Sequence, residues 1–78
     1  MSYPPRIITM AEKGRHLHRL CQSHRDRYIR KTADSELARV LDETLAREFR
    51  LDAIDCLEQI VQKLAYSRPG YQSIPISD

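Results

Sequence analysis

Aromatic side chains and glycine are scarce in this chain, which has no tryptophan, one phenylalanine and two glycines among its 78 residues. A hydrophobic core must therefore be built mainly from Leu, Ile, Val, Ala and Met. The chain is too short for a dinucleotide-binding unit with a second domain, for a barrel, or for most enclosed catalytic clefts. Length and composition together predict one small domain over residues 1–78.

Long apolar runs are absent as well. With no run of about 18 apolar residues, a membrane-spanning helix is excluded. The first residues lack the charged-then-apolar order of a secretory signal, so we expect a cytoplasmic protein. In a reduced compartment the two cysteines, Cys21 and Cys56, are most simply core residues. A bridge between them requires their helices to pack face to face.

Charge is unevenly distributed, although the net charge is only +2. Residues 1–32 carry eight basic and two acidic side chains, whereas residues 33–78 carry five basic and nine acidic ones. Halves with balances of +6 and −4 can attract each other within the folded chain. Alternatively, the basic half is kept for a polyanion.

Apolar side chains recur at helical spacing from Thr9 to Tyr66. Outside this region, prolines stiffen an N-terminal arm over residues 1–8, and proline and glycine mark an irregular tail over residues 67–78. The predicted fold class is all-α. It consists of a small three-helix domain, a helical hairpin plus one further helix, with extended N- and C-terminal arms.

The first predicted helix is basic and spans residues 9–31. Thr9 is a good N-cap, and Glu12 follows at the capping-box spacing. Gly14 lies on the apolar stripe, where it weakens the helix but lets another backbone come close. The stripe is formed by Met10, Leu17, Leu20, Cys21, His24 and Tyr28.

The second and third helices are predicted over residues 34–49 and 52–66. Continued as one rod, their apolar stripes would point about 180° apart, so the rod could not bury both against one partner. We therefore expect a break between Phe49 and Asp52, with Asp52 capping the third helix. No glycine or proline marks this break.

The apolar stripe of the third helix is broad for so small a domain. Three short helices bury little apolar area, and a homodimer would cover the surplus by using one patch twice. The stripe is therefore the predicted dimer or partner interface. It consists of Ile54, Leu57, Ile60, Val61 and Leu64.

One histidine- and cysteine-containing segment invites a metal ion. His18, Cys21 and His24 have i,i+3 spacings, and Cys56 could add a ligand from another helix. A structural zinc site needs four ligands, and the segment supplies at most three, so we predict no metal and no cofactor.

The chain also lacks a glycine-rich phosphate loop and the common hydrolase motifs. It is therefore predicted not to be an enzyme.

Nucleic-acid binding is the sharper alternative to protein binding. The outward face of the first helix offers Arg15, Arg19, Gln22 and Arg30, which could hold phosphates or read base edges. Against this, Asp26 lies within that face and would repel a phosphate. Aromatic side chains are not interleaved with the basic ones in the way that single-strand binding favours.

The predicted function is that of a non-enzymatic regulatory or adaptor protein that binds and modulates another protein. The two arms carry more apolar side chains than solvated segments need, so they could order on a partner or pack back on the helices. In size, helical make-up and charge segregation, the chain resembles the small regulators carried by phages and plasmids. That resemblance implies an inhibitor or regulator of a larger protein. DNA or RNA binding through the basic face is the alternative.

Overall fold

The computed structural model describes residues 8–65 and 75–76. The described residues form three α-helices, and each helix contacts the other two. They contain no β-strand, only an isolated bridge between Ile8 and Ile76. The prediction of an all-α, three-helix architecture is confirmed. The helices are α1 (Met10–Cys21), α2 (Arg27–Leu41) and α3 (Arg47–Ala65).

The start of α1 agrees with the prediction. The Thr9 hydroxyl accepts a hydrogen bond from the backbone N–H of Glu12 at 3.1 Å and lies 3.3 Å from the Glu12 carboxylate. A helix leaves its first N–H groups without partners inside the helix, and this side chain satisfies one of them. The predicted N-cap is confirmed.

The end of α1 differs from the prediction, because residues 9–31 contain all of α1 and the first residues of α2 rather than one helix. α1 ends at Cys21, and α2 begins at Arg27 with Asp26 as its N-cap. The Asp26 carboxylate accepts a hydrogen bond from the backbone N–H of Tyr28 at 2.8 Å. Aspartate is one of the strongest N-cap residues, and this local bond competes with continuation of the helix. The carboxylate therefore starts a new helix instead of lying on an outward face.

The break before α3 also lies earlier than predicted. α2 ends at Leu41 and α3 begins at Arg47, so the predicted boundaries of 34–49 and 52–66 are wrong, and Asp52 lies within α3. The Asp42 carboxylate accepts hydrogen bonds from the backbone N–H of Thr44 at 2.9 Å and from its hydroxyl at 2.6 Å. These bonds lower the pKa of Asp42. They form the aspartate-based turn that ends α2.

The core lies between the three helices and receives apolar side chains from all of them. Met10, Leu17, Val40 and Leu57 are the largest fully buried aliphatic side chains. Within residues 8–65 and 75–76, no helix has the length and apolar character that crossing a bilayer requires.

The two ends of the described chain meet beside the core. The N–H of Ile8 donates to the Pro75 carbonyl at 3.2 Å, Ile8 is buried, and Ile76 packs against the core. At these residues the arms pack back on the helices, which is one of the two roles considered for them. The rest of the arms predicted over residues 1–8 and 67–78 lies outside the described residues.

Polar side-chain contacts join the basic first half of the chain to the acidic second half. Lys13 on α1 forms an ion pair with Glu58 on α3, and both side chains are largely buried. Nε2 of His18 on α1 lies 2.5 Å from the Asp34 carboxylate on α2. The attraction between halves that the charge distribution suggests is therefore present where α1 meets α3.

Gly14 lies where α1 meets α2. A Cβ atom placed on it would lie 2.7 Å from Cγ1 and 3.3 Å from Cβ of Val40. Ordinary contacts between carbon atoms are about 3.5–4.0 Å. The close approach expected at this glycine is made by a side chain rather than by a backbone.

We expect Gly14→Ala to destabilise the protein, although alanine favours a helix by about 1 kcal/mol over glycine. Val40 is fully buried and β-branched, and forcing a methyl group into a packed core costs about 1–3 kcal/mol. A net loss of about 1 kcal/mol would lower the melting temperature by about 4–8 °C, measured by circular dichroism. In a Val40→Ala background the substitution should be neutral or stabilising. A higher melting temperature for the single variant would contradict this packing.

Candidate interaction surfaces

The apolar stripe of α3 is not the exposed surface that the sequence suggests. Ile54, Leu57 and Val61 are only 0–4% exposed and belong to the core of the protomer. Ile60 and Leu64 are half-buried, and Ile60 packs against that core. The stripe is broad because α3 contacts both α1 and α2, so two neighbouring helices cover it. Three of the five residues predicted as a dimer or partner interface are therefore covered by the chain's own helices.

One exposed apolar surface lies at the turn between α2 and α3. Phe49, in the first turn of α3, has 56% of its surface exposed. The Arg50 side chain donates from Nε to the Val40 carbonyl at 2.9 Å, which holds this turn of α3 against the end of α2. Ala46 is exposed, and the last residue of α2, Leu41, and Leu45 in the turn are half-buried. We call the set the hairpin tip, and it consists of Leu41, Leu45, Ala46 and Phe49.

Charged side chains surround the hairpin tip. The exposed residues of the turn and the first turn of α3 carry both signs of charge. An apolar centre with a polar, hydrated rim is the usual anatomy of a protein–protein interface. The charged residues are Asp42, Glu43, Arg47 and Glu48.

Two of the four residues predicted to contact nucleic acid form hydrogen bonds within the chain. Arg30 lies on α2 rather than α1, and its guanidinium donates to the carbonyls of His24 at 2.8 Å and Arg25 at 3.4 Å. The Gln22 amide donates to the Asp34 carboxylate at 3.4 Å. The single outward face expected for residues 9–31 therefore does not exist, because the chain turns within it.

The other two predicted residues, Arg15 and Arg19, are exposed on α1. The side chains of Arg27 and Lys31 on α2 are exposed as well. Tyr28, beside them, is 74% exposed, so an aromatic side chain does lie among basic ones, contrary to expectation. Asp26 was the missed signal, because an N-cap there restarts the helical phase.

The four side chains considered for metal binding have different partners. His18 contacts Asp34 on α2, the buried Cys21 thiol lies 3.9 Å from the Leu57 carbonyl, and His24 Nδ1 accepts the Asp26 N–H at 3.0 Å. Cys56 is half-buried on α3 and is a free thiol, as is Cys21. Nowhere in the described part of the chain do three or more histidine, cysteine or acidic side chains form a group that could hold a metal ion.

Neither cysteine has the environment of an activated nucleophile. Burial, with a smaller effect of Cys56, raises the pKa of Cys21 to about 11. Burial and the nearby carboxylates of Glu36 and Asp55 raise the pKa of Cys56. The nucleophilic form of cysteine is the thiolate, and both environments favour the thiol.

The outward face of α3 carries polar side chains that face solvent, as their spacing predicts. Asp52, Asp55, Gln59 and Lys63 are all exposed, and the Gln59 amide donates to the Asp55 carboxylate at 3.0 Å.

Comparison with protein-family models, with curated proteins and with solved structures finds no match for this chain.

Proposed function

We propose that the protein is a non-enzymatic regulator or adaptor that binds another protein through the hairpin tip, with Phe49 as the anchor. The observation that carries this proposal is the exposure of the only phenylalanine in the chain. Burying a phenylalanine side chain contributes about 1.5–3 kcal/mol. The chain leaves much of that free energy unused when it folds, so a partner that covers the ring can gain it.

The setting of Phe49 matches that of an interface anchor. Binding energy is usually concentrated in a few aromatic or arginine side chains that enter a pocket and are ringed by polar residues. Here Leu45 and Ala46 extend the apolar centre, and the charged residues of the turn form the rim. The raised thiol pKa values support a binding role over cysteine-based catalysis.

A different protein is the proposed occupant rather than a second copy of this chain. The tip is the end of a helical hairpin with one largely exposed aromatic ring, whereas a stable interface buries roughly 800 Å² per partner. A concave pocket on a larger protein can surround the ring and its neighbours. Homodimerisation is therefore an outcome that the experiment must separate.

The test places a photo-crosslinking amino acid at position 49 in cells of the native host, with position 55 on the solvent face of α3 as the control. A protein cross-linked only from position 49 is then purified and its affinity for the chain is measured. Phe49→Ser should weaken binding about 30-fold, the loss typical of a hot-spot residue. Tyr28→Ser, which alters an exposed aromatic residue on α2, should leave the affinity unchanged.

The melting temperatures of both serine variants should match that of the unchanged chain, since each ring is mostly exposed. Cross-links between two copies of the chain would replace this proposal with a homodimer. Equal yields from positions 49 and 55, or equal affinity for the Phe49→Ser variant, would overturn it.

A further inference from the structure

We infer that the outer face of the α1–α2 hairpin binds the phosphate backbone of single-stranded nucleic acid. The surface is defined by four exposed cations, Arg15 and Arg19 on α1 and Arg27 and Lys31 on α2. We call it the cationic face. It is independent of the hairpin tip and goes beyond the proposed protein-binding function.

The contact between α1 and α2 brings these four cations to one surface. Gly14 lies against Val40, and His18 lies against Asp34, so α1 and α2 run antiparallel. From helical geometry, Arg15 and Arg19 lie about 60° and 100° around α1 from His18. By the same measure, Arg27 and Lys31 lie about 20° and 60° around α2 from Asp34. The two pairs therefore flank the His18–Asp34 contact on the side away from the core.

Self-pairing does not account for these cations. Among the described residues, none of the four forms an ion pair, whereas Lys13 and Arg39 each have a carboxylate partner. Each pair lies one helical turn apart, and like charges at that spacing destabilise a helix by about 0.2–0.5 kcal/mol. The face therefore keeps two repulsive pairs side by side, and an external polyanion would relieve both.

Two of the carboxylates near this face already accept hydrogen bonds from the chain. Asp34 contacts His18 and accepts a hydrogen bond from Gln22. Asp26, which the sequence suggests would repel phosphate, accepts the N–H of Tyr28 as the cap of α2. Both carboxylates are thus engaged by donors of the chain.

Single-stranded nucleic acid fits the combination of charge and aromatic exposure better than an acidic protein does. Cations one turn apart are spaced by about 6 Å along each helix, and packed helices lie about 8–10 Å apart. Such a grid can contact several consecutive phosphates, which arginine binds through paired hydrogen bonds. Tyr28 is 74% exposed and follows Arg27 directly, so its ring can stack on an unpaired base.

The experiment measures fluorescence anisotropy of labelled single-stranded DNA and RNA with the purified full chain, starting at about 50 mM salt, where phosphate contacts are strong. Arg19→Ala with Lys31→Ala should lower the affinity at least tenfold. It should also reduce the salt slope by about 1.4, since each lost contact to a single strand contributes about 0.7. Tyr28→Ala should lower the affinity about tenfold with little change in slope, because stacking releases no counterion.

The matched control is Arg39→Ala with Lys63→Ala, which removes the same charge from exposed positions elsewhere and should change the affinity little. Phe49→Ser should bind the strands like the unchanged chain, so failure here is separable from failure of the protein-binding proposal. Absence of binding at about 50 mM salt would overturn the inference. An equal loss of affinity in the control variant would also overturn it, as would binding of poly-glutamate as tight as that of the single strands. The same holds if duplex binds more tightly than single strands and Tyr28→Ala leaves that binding unaltered.

Discussion

Leu57→Asp is expected to abolish folding of the isolated chain. Leu57 is fully buried between the helices. The change removes a leucine, for which truncation costs about 2–5 kcal/mol. It also adds a carboxyl group that is costly to bury without a partner. The total stability of a domain of this size is about 4–12 kcal/mol, so the substitution removes most or all of it.

Far-ultraviolet circular dichroism during heating provides the measurement. The variant should show low helicity and no cooperative transition. Leu57→Met, which conserves volume, should cost less than about 1.5 kcal/mol, and Gln62→Asp at an exposed position of α3 should change little. A folded Leu57→Asp chain with a normal melting temperature and a lower oligomeric mass would place this side chain at an interface, as its pattern alone suggests.

The number of helices and the start of α1 could be predicted because the determining interactions are local. Helical spacing of apolar residues and the bond from Thr9 to Glu12 lie within a few residues of each other. The turn at residues 22–26 was harder to predict. His24 and Tyr28 happen to continue the α1 stripe, although Tyr28 is exposed in the folded chain.

The candidate surfaces depend on interactions that a linear pattern does not contain. The width of an apolar stripe reports how much of a helix is covered, but not whether its own chain or a partner covers it. Leu57 and Val61 are covered by the protomer's own helices. An error in the predicted end of a helix also changes which basic side chains are expected to be exposed. Once α2 starts anew at Arg27, Arg30 bonds to backbone carbonyls and Lys31 takes an exposed position.

Glu58→Ala should be the most destabilising charge change at a single site. Glu58 pairs with Lys13 between α3 and α1, and the two side chains are only 14% and 8% exposed. Removing one partner of a buried pair leaves the other charge in a region of low dielectric and costs about 3–5 kcal/mol. The loss would appear as a lower urea midpoint with an unchanged slope, since the surface exposed on unfolding stays the same.

Two further variants separate the free-energy cost of removing one partner from the contribution of the ion pair itself to stability. Arg39 pairs with Glu36 but is 65% exposed, so Arg39→Ala should cost no more than about 0.5 kcal/mol. Lys13→Met combined with Glu58→Leu removes both charges and should be close to the unchanged chain in stability, because apolar side chains of similar volume avoid the desolvation cost. If the double variant is as unstable as Glu58→Ala, the pair itself is what joins α1 to α3. If Glu58→Ala loses no more than Arg39→Ala, another group of the chain or water compensates the Lys13 ammonium, and Glu58 is not the contact that stabilises it.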